Sequence, residues 1–210
     1  MGFLTKRIKT METTVQGKQI DVGDALREHV TDKISDIGQK YFNNTTDATV
    51  TFSKEGHGAA MFKVHISFNV GKNIQVVTEA VEHDPYGAFD AASEKAAKRL
   101  RRYKKRLRDH HNRAEKTPEA EMLKAKAYTL VQEAQEATEQ DNGDDDVHKD
   151  PAIIAEIQTH IEKMSVSEAV MRMELADQNA QMFRNASNGK LNMVYLRKDG
   201  NIGWIEPDDQ

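Results

Sequence analysis

The sequence predicts an α+β protein in which two folded units flank an acidic segment. Three observations lead to this prediction. Segments of strand-like alternation and of helical periodicity succeed one another in the first half of the chain. The segment 114–164 then holds 5 basic and 13 acidic residues. A short stretch with its own helix cap and turns ends the chain. We expect an N-terminal extension over 1–11, a β-α-β-β-β-α domain over 12–113, a linker over 114–163 and a small α+β domain over 164–210.

The first elements of the N-terminal domain follow from spacing and capping. A short strand over 13–17 precedes a helix that Asp21 caps. The apolar residues of this helix lie on one face, at Leu26, Val30, Ile34, Ile37 and Tyr41. Alternation of apolar and polar residues then predicts three strands, at 48–52, 61–70 and 74–80.

A second helix is predicted from Pro85, which follows the capping residue Asp84, to about residue 111. Residues at three- and four-residue steps form an apolar seam along it, and this seam should face the sheet. The seam residues are Phe89, Ser93, Ala96, Leu100, Tyr103 and Leu107. The N-terminal domain should therefore be a four-stranded sheet with two helices packed on one face.

The second helix is also strongly basic, since residues 95–113 contain 10 basic side chains and one acid, Asp109. The cations expected on one flank of the seam are Lys95, Lys98, Arg102, Lys105 and Arg106. Their mutual repulsion is uncompensated unless a polyanion is present, which favours nucleic-acid binding over a merely solvated helix. Tyr86 or Tyr103 could stack on a base. Spacing alone leaves duplex DNA, RNA and an anionic membrane surface open, although the flank lacks apolar residues for membrane insertion.

The acidic linker is expected to be a flexible, partly helical tether. Over 119–140, a mostly alanine stripe recurs at helical spacing, at Leu123, Ala127, Leu130, Ala134 and Ala137. A polar acidic tract at 141–146 ends this pattern. The segment offers little apolar surface to offset the entropy of ordering, so we expect no packed domain there.

The last unit begins with a capping box in which Ser165 and Glu168 satisfy free backbone N–H groups. Turn sequences at 188–189 and 199–200 then separate short strands. A cysteine-free unit of about 46 residues has little interior, so we expect it to form a homodimer. The residues expected at the dimer interface are Phe183, Met193, Tyr195, Trp204 and Ile205.

Composition and motifs argue against several other classes of protein. The absence of Cys excludes a disulfide framework, a thiolate zinc site and a Cys nucleophile. No apolar run approaches the roughly 20 residues that span a bilayer. His110 and His111 are adjacent on a helix, so they point apart and make a poor metal pair. No phosphate-binding loop or nucleophile elbow is present. We expect a cytoplasmic protein that is not an enzyme, with no metal, cofactor, small-molecule substrate or membrane partner.

Two blocks of the sequence carry a more specific pattern. The first contains 16–20 (QGKQI), 82–90 (EHDPYGAFD), Lys95 and 100–104 (LRRYK). The second contains 173–175 (MEL), 183–186 (FRNA), 194–201 (VYLRKDGN) and 205–207 (IEP). In this order, the two blocks resemble the long form of the ribosome hibernation promoting factors. The resemblance covers about 12–110 and 164–207.

The resemblance implies that the N-terminal domain binds the small ribosomal subunit, chiefly its 16S rRNA, in the channel for mRNA and tRNA, and inhibits translation. It also implies that the C-terminal domain pairs with its copy and joins two ribosomes. The residues that match basic positions of the family are Lys18, Lys95, Lys98, Arg102 and Lys104. The expected rRNA-binding set is completed from the same basic run by Arg99, Arg101, Lys105 and Arg106. The family has also been described as modulating an alternative sigma factor, so regulation by protein binding is the alternative function.

Overall fold

A four-stranded sheet with two helices on one face forms the first half of the protein. The computed structural model describes residues 12–41, 47–55, 61–70, 74–114, 122–130 and 152–208, except for the side chains of 108–114. The elements are β1 (Glu12–Lys18), α1 (Asp24–Tyr41), β2 (Asp47–Glu55), β3 (Met61–Asn69), β4 (Gln75–Glu82) and α2 (Pro85–Ala114). The strand order is β1-β2-β3-β4, in which β1 runs parallel to β2 and the other neighbours are antiparallel. The predicted β-α-β-β-β-α arrangement is confirmed, and we refer to it as the N-terminal domain.

The core of this domain lies between the sheet and the helices. Strands β2 and β3 bury every second residue, because only one face of the sheet is covered. In register, Phe52 opposes Val64 and Val50 opposes Ile66, and all four side chains are fully buried. The helix α1 adds the predicted face, of which Leu26, Val30, Ile34 and Ile37 are buried and Tyr41 is partly buried.

The N-terminus of α2 has the predicted cap. The backbone N–H of Gly87 donates a hydrogen bond to Asp84 Oδ2 at 2.7 Å. Pro85 occupies the first helical position, where its missing N–H costs no hydrogen bond. This cap fixes the point at which α2 leaves the end of β4 and crosses the sheet.

The C-terminal unit is a second, smaller α+β structure. Its elements are β7 (Lys163–Met164), α3 (Val166–Leu175), β8 (Ala180–Asn185), β9 (Leu191–Leu196) and β10 (Ile202–Ile205). They form a sheet of order β10-β9-β8-β7 with α3 on one face. The Ser165 half of the predicted capping box is confirmed, since its side chain accepts a hydrogen bond from the N–H of Glu168 at 3.3 Å, while Glu168 Oε1 accepts from Arg172 Nη2 at 3.2 Å. The buried core is small and consists of Met164, Ala169, Met173, Phe183 and Val194.

Two strands lie in the segment that was expected to be a partly helical linker. They are β5 (Leu123–Leu130) and β6 (Ile153–Ile161), paired antiparallel. The helix predicted over 119–140 is therefore wrong over 123–130. The alanine positions fit both periods, and pairing with the isoleucine-rich β6 selects the extended form. The acidic tract at 141–146 and the extension 1–11 lie outside the described residues.

Candidate nucleic-acid interface

Helix α2 lies on the sheet by its apolar seam, as the sequence predicts. All six seam residues are buried, from Phe89, which is 0% exposed, to Tyr103 and Leu107, which are each 6% exposed. The basic side chains are therefore confined to the two flanks of the seam and to the outer side of the helix. The five cations expected on one flank are divided, because Lys98 and Lys105 lie on the outer side of α2, whereas Lys95, Arg102 and Arg106 lie on a flank.

One flank of α2 faces the sheet edge formed by β4, and its cations bind backbone oxygen there. Lys95 Nζ donates to the carbonyl of Glu79 at 2.9 Å, and Arg99 Nη1 donates to the carbonyl of Val77 at 2.6 Å. An edge strand presents carbonyl groups with no neighbouring strand to bind them. These two cations therefore fasten the helix to the sheet as well as contributing positive charge.

The outer side of α2 carries the cations that are free to meet a ligand. Lys98, Arg101 and Lys105 are exposed, and within the described residues they have neither an ion pair nor a hydrogen bond to a side chain. They follow one another at three- and four-residue steps, so they form one row, which we call the outer row. This row extends over about 10 Å of helix, at 1.5 Å per residue.

Two predicted rRNA-binding residues lie away from both the outer row and the flank that faces β4. Lys104 points to the α1 side of the helix, where its Nζ lies 5.7 Å from the centre of the Tyr41 ring. Lys18 ends β1 and is exposed at the sheet edge opposite β4. The structure thus brings together the cations of α2 but does not place Lys18 beside them.

The C-terminal unit covers the flank of α2 that faces β4, through α3 and the residues next to it. Arg99 Nη2 pairs with Asp177 Oδ1 at 2.6 Å, and Arg102 Nη1 pairs with Glu174 Oε2 at 3.0 Å. Arg106 Nη1 donates to the carbonyl of Ser167 at 3.2 Å. Three of the nine predicted rRNA-binding cations are thereby held by another part of the same chain.

Tyr103 belongs to the same contact. Its hydroxyl donates a hydrogen bond to the Glu174 oxygen that also accepts from Arg102. Burial, together with the negative charge and hydrogen bond of Glu174, raises the pKa of the Tyr103 hydroxyl. Tyr103 is 6% exposed, so it is not available to stack on a base while this contact is made.

Apolar packing reinforces the ionic contact. Met171 and Leu175 of α3 are 1% and 0% exposed, and both belong to the core of the N-terminal domain rather than to that of the C-terminal unit. Burying an apolar side chain of this size stabilises a contact by about 1.5–3 kcal/mol. The sequence patterns did not predict this surface. The sequence feature that could have predicted it is that α3 has apolar residues on two faces, a pattern that indicates a helix buried on both sides.

The outer face of the C-terminal sheet, opposite α3, is apolar and uncovered among the described residues. Cross-strand pairing places Met182, Met193 and Ile205 side by side on this face, with Tyr195 next to them. Met182 and Ile205 are 48% and 47% exposed. Tyr195 lies across Gly203, where an added Cβ would come within 2.3 Å of the ring. Three predicted dimerisation residues, Met193, Tyr195 and Ile205, therefore share one surface.

Two other predicted dimerisation residues lie elsewhere. Phe183 is 0% exposed and packs under α3, so its side chain belongs to the core of the C-terminal unit and is not on the outer face. It alternates with Met182 and Arg184, and this alternation turns its side chain to the inner face. Trp204 pairs in register with the buried Val194 and donates from Nε1 to Asn192 Oδ1 at 2.9 Å. It is 50% exposed, on the helix side of the sheet.

The described residues contain no other site with an evident ligand. No helix among them has the length and apolar character needed to cross a membrane. Within the same ranges, His, Asp and Glu side chains nowhere gather in a group of three that could hold a metal ion. The basic surface of α2 and the apolar outer face are thus the two candidate interaction surfaces.

The fold and its two surfaces define an α+β protein that exposes a basic helix and carries a small appended unit. The chain belongs to the family described as sigma 54 modulation protein / S30EA ribosomal protein. Residues 13–108 match the model of that family, and residues 148–203 match the model of its C-terminal region. The second match begins before β6, so it includes a strand that lies in the segment expected to be the linker.

Relatives align with nearly the whole chain. A protein of Bradyrhizobium diazoefficiens named ribosome hibernation promotion factor is 34% identical over 197 residues, which cover 94% of this chain and 95% of the relative. A protein of the same name from Rhizobium meliloti is also 34% identical, over 93% of this chain and 97% of its own length. A solved ribosomal subunit interface protein from Coxiella burnetii is 20% identical, with a TM-score of 0.39, and covers 45% of this chain and 98% of that one.

Proposed function

We propose that this protein is a ribosome hibernation factor that binds the small ribosomal subunit through its 16S rRNA, in the channel for mRNA and tRNA, and so inhibits translation. Two full-length relatives bear the name of such a factor. The proposal places the protein in the cytoplasm, with rRNA as its principal partner and no cofactor.

The observation that carries the proposal is the outer row of α2. Lys98, Arg101 and Lys105 are exposed on a rigid helix. Cations spaced along one side of a helix can follow a phosphate backbone, and their binding releases condensed counterions. The shared direction of the three side chains favours an extended polyanion over a single small anion. RNA bound by phosphate contacts alone is recognised by shape, which suits a structured channel in rRNA.

The outer face of the C-terminal sheet supports the second part of the proposal, which is that two copies pair and couple two ribosomes. Met182, Met193 and Ile205 form an apolar surface on a unit with few buried residues of its own. Pairing by two-fold symmetry would set the same face of each copy against the other. The gain from burying apolar surface, roughly 25 cal/mol per Å², is reduced by the cost of association.

Sedimentation with purified ribosomes tests the main proposal. The full-length protein should migrate with small subunits and inhibit translation in a cell-free system. The variant K98E/R101E/K105E should lose both properties while keeping its fold, because its row then repels phosphate. The control K54E/K124E/K198E changes the net charge equally at exposed lysines away from α2 and should still bind.

Salt dependence gives a second measure. Each phosphate contact that is lost should lower the slope of log K against log salt by roughly one unit. Equal binding by the wild-type protein and the α2 variant would contradict the assignment of this surface. A wild-type protein that never enters the ribosome fractions would contradict the ribosomal function and favour regulation by binding another protein.

A further inference from the structure

We infer that the contact between the C-terminal unit and α2 is an autoinhibitory closure, which must open before the N–H groups of Arg99, Arg102 and Arg106 that it occupies can bind rRNA phosphates. The inference rests on the proposed function, because it concerns how the same basic helix reaches its partner. Its basis is the contact itself, which joins residues far apart in the sequence. The ion pairs Arg99–Asp177 and Arg102–Glu174 link positions 78 and 72 residues apart.

The occupied cations lie in one row along α2. Arg99, Arg102 and Arg106 follow at three- and four-residue steps on the flank that faces β4. Glu174, Asp177 and the carbonyl of Ser167 provide the acceptors along α3 and its ends. A guanidinium N–H bonded to a carboxylate cannot simultaneously donate to a phosphate. The carboxylates of the C-terminal unit therefore occupy the places that phosphates would take.

The closure combines buried apolar packing with weaker, partly solvated ion pairs. Met171 and Leu175 are buried against the N-terminal domain and hold the two units together. The ion pairs are partly solvated, with side-chain exposures of 29% and 46% for Arg99 and Asp177, and of 59% and 31% for Arg102 and Glu174. Solvated pairs of this kind are individually weak and are screened by salt. A polyanion of high charge density can therefore compete with them.

The outer row gives rRNA a first point of attachment. Lys98, Arg101 and Lys105 face solvent while the C-terminal unit is docked. Binding should then proceed in two steps, in which phosphates first meet the outer row and afterwards displace Glu174 and Asp177 from the covered flank. Opening also separates the C-terminal unit from the N-terminal domain, while the outer face of its sheet is exposed in either state.

The affinity for small subunits tests the inference in the full-length protein. The variant E174Q/D177N keeps the size and shape of both side chains but removes their charge, so it should bind about three- to tenfold more tightly than the wild type. The control E206Q/D208N removes two charges from exposed residues elsewhere in the C-terminal unit. It corrects for the general effect of net charge and should show a smaller change. Equal affinities of the two variants, or weaker binding by E174Q/D177N, would overturn the inference.

Fluorescence energy transfer observes the closure directly. The chain has no Cys, so Asp36→Cys and Lys198→Cys introduce two labelling sites at exposed positions, one in each unit. Energy transfer should fall when small subunits are added. Without ribosomes, it should already be lower in the labelled E174Q/D177N variant than in the labelled control. Unchanged transfer on ribosome binding would overturn the closure.

The two experiments separate this inference from the proposed function. A labelled protein that binds no small subunits, but in which E174Q/D177N lowers the energy transfer, would contradict the ribosomal function and leave an ionic closure intact. A protein that binds small subunits through the outer row, with no effect of E174Q/D177N in either experiment, would contradict the closure alone.

Discussion

The N-terminal domain and the C-terminal unit differ in how far each can support its own fold. Among the described residues, the core around the N-terminal sheet contains 23 buried residues, among them Phe52, Phe68 and Phe89, whereas the core of the C-terminal unit contains five. Two of the 23, Met171 and Leu175, belong to α3. The small unit thus buries part of α3 in the core of its neighbour.

This difference indicates how far each unit depends on contacts with other parts of the protein for its stability. The N-terminal domain buries most of its core between its own sheet and helices, and its exposed cations lie on the surface of that scaffold. The C-terminal unit has a small core and two apolar surfaces outside it. The N-terminal domain covers the surface of α3, while Met182 and Ile205 on the outer face of the sheet are half exposed. A unit of this size gains stability from partners, either within the chain or in a second copy.

The largest expected effect comes from removing one phenylalanine from each core. Phe89→Ala and Phe183→Ala each delete a fully buried ring, which costs about 3–5 kcal/mol. We expect Phe183→Ala to unfold the C-terminal unit alone, because its core has little else to hold it. Hydrogen exchange should then be fast in β8 and β9 and remain slow in β2 and β3. Phe89→Ala should instead lower the protection of both regions, since α3 packs on the core that contains Phe89.

One result would contradict the claim that the C-terminal unit is less stable than the N-terminal domain. If Phe183→Ala reduced protection in β2 and β3 as much as in β8 and β9, the protein would unfold as a single cooperative structure. The C-terminal unit would then not be the weaker part.

A smaller effect is expected from the outer face of the C-terminal sheet. Ile205→Asp places a charge on the surface proposed for pairing, and two-fold symmetry makes it act twice. We expect the dissociation constant of the dimer to rise at least tenfold, which corresponds to about 1.4 kcal/mol. Leu196→Asp is the matched control, because Leu196 is 50% exposed but lies on the opposite face of β9. Analytical ultracentrifugation of the full-length variants measures both.

Thermal unfolding of the same variants serves as the control for the fold of the single chain. Ile205 is half exposed, so Ile205→Asp should leave the fold of a single chain almost unchanged. A dimer that is weakened equally by Leu196→Asp and Ile205→Asp would contradict pairing through the outer face. A protein that is monomeric at high micromolar concentration would contradict pairing by the chain alone.

The sequence predicted the N-terminal fold well because local signals agreed there. The seam of α2 recurs over several turns between a capping Asp84 and Pro85, and β3 alternates over nine residues. Each of these two patterns fits only one type of secondary structure, a helix for α2 and a strand for β3. The alanines of β5 fitted both a helix and a strand, and the choice depended on a partner strand about 30 residues away, which periodicity does not reveal.

The candidate site was predictable in composition but not in arrangement. The excess of cations on α2 is visible in the sequence, but the acids that meet Arg99 and Arg102 lie in another unit, and nothing local identifies them. Phe183 shows the same limit. Its apolar character predicted burial, whereas the choice between the inner core and a dimer interface depends on which sheet face α3 covers.

The smallest expected effect concerns an ion pair inside the N-terminal domain, which contrasts with the pairs between the units. Asp90 on α2 accepts from Lys33 Nζ at 2.8 Å and lies 3.1 Å from His29 Nε2, both on α1. Partial burial by itself raises the pKa of Asp90, but the hydrogen bonds and charges of Lys33 and His29 outweigh it and hold the pKa below its ordinary value. The ionised form is therefore favoured by folding.

A lowered pKa in the folded state fixes the sign of the pH dependence. The stabilisation is fully present above the pKa of the unfolded chain, about 3.9, and is lost as the pH falls through the lower pKa of the folded protein. Asp90→Asn should therefore lower the free energy of unfolding at pH 7 by about 0.2–1 kcal/mol, since the pair is partly solvated, and the difference from wild type should shrink toward pH 3. Denaturant titrations at the two pH values measure it, with the exposed Asp36→Asn as control. A difference that stays constant between pH 7 and pH 3 would mean that Asn disturbs packing rather than an ion pair. Asp90 would then join α1 and α2 by packing rather than by charge, unlike the pairs of Arg99 and Arg102 with the C-terminal unit.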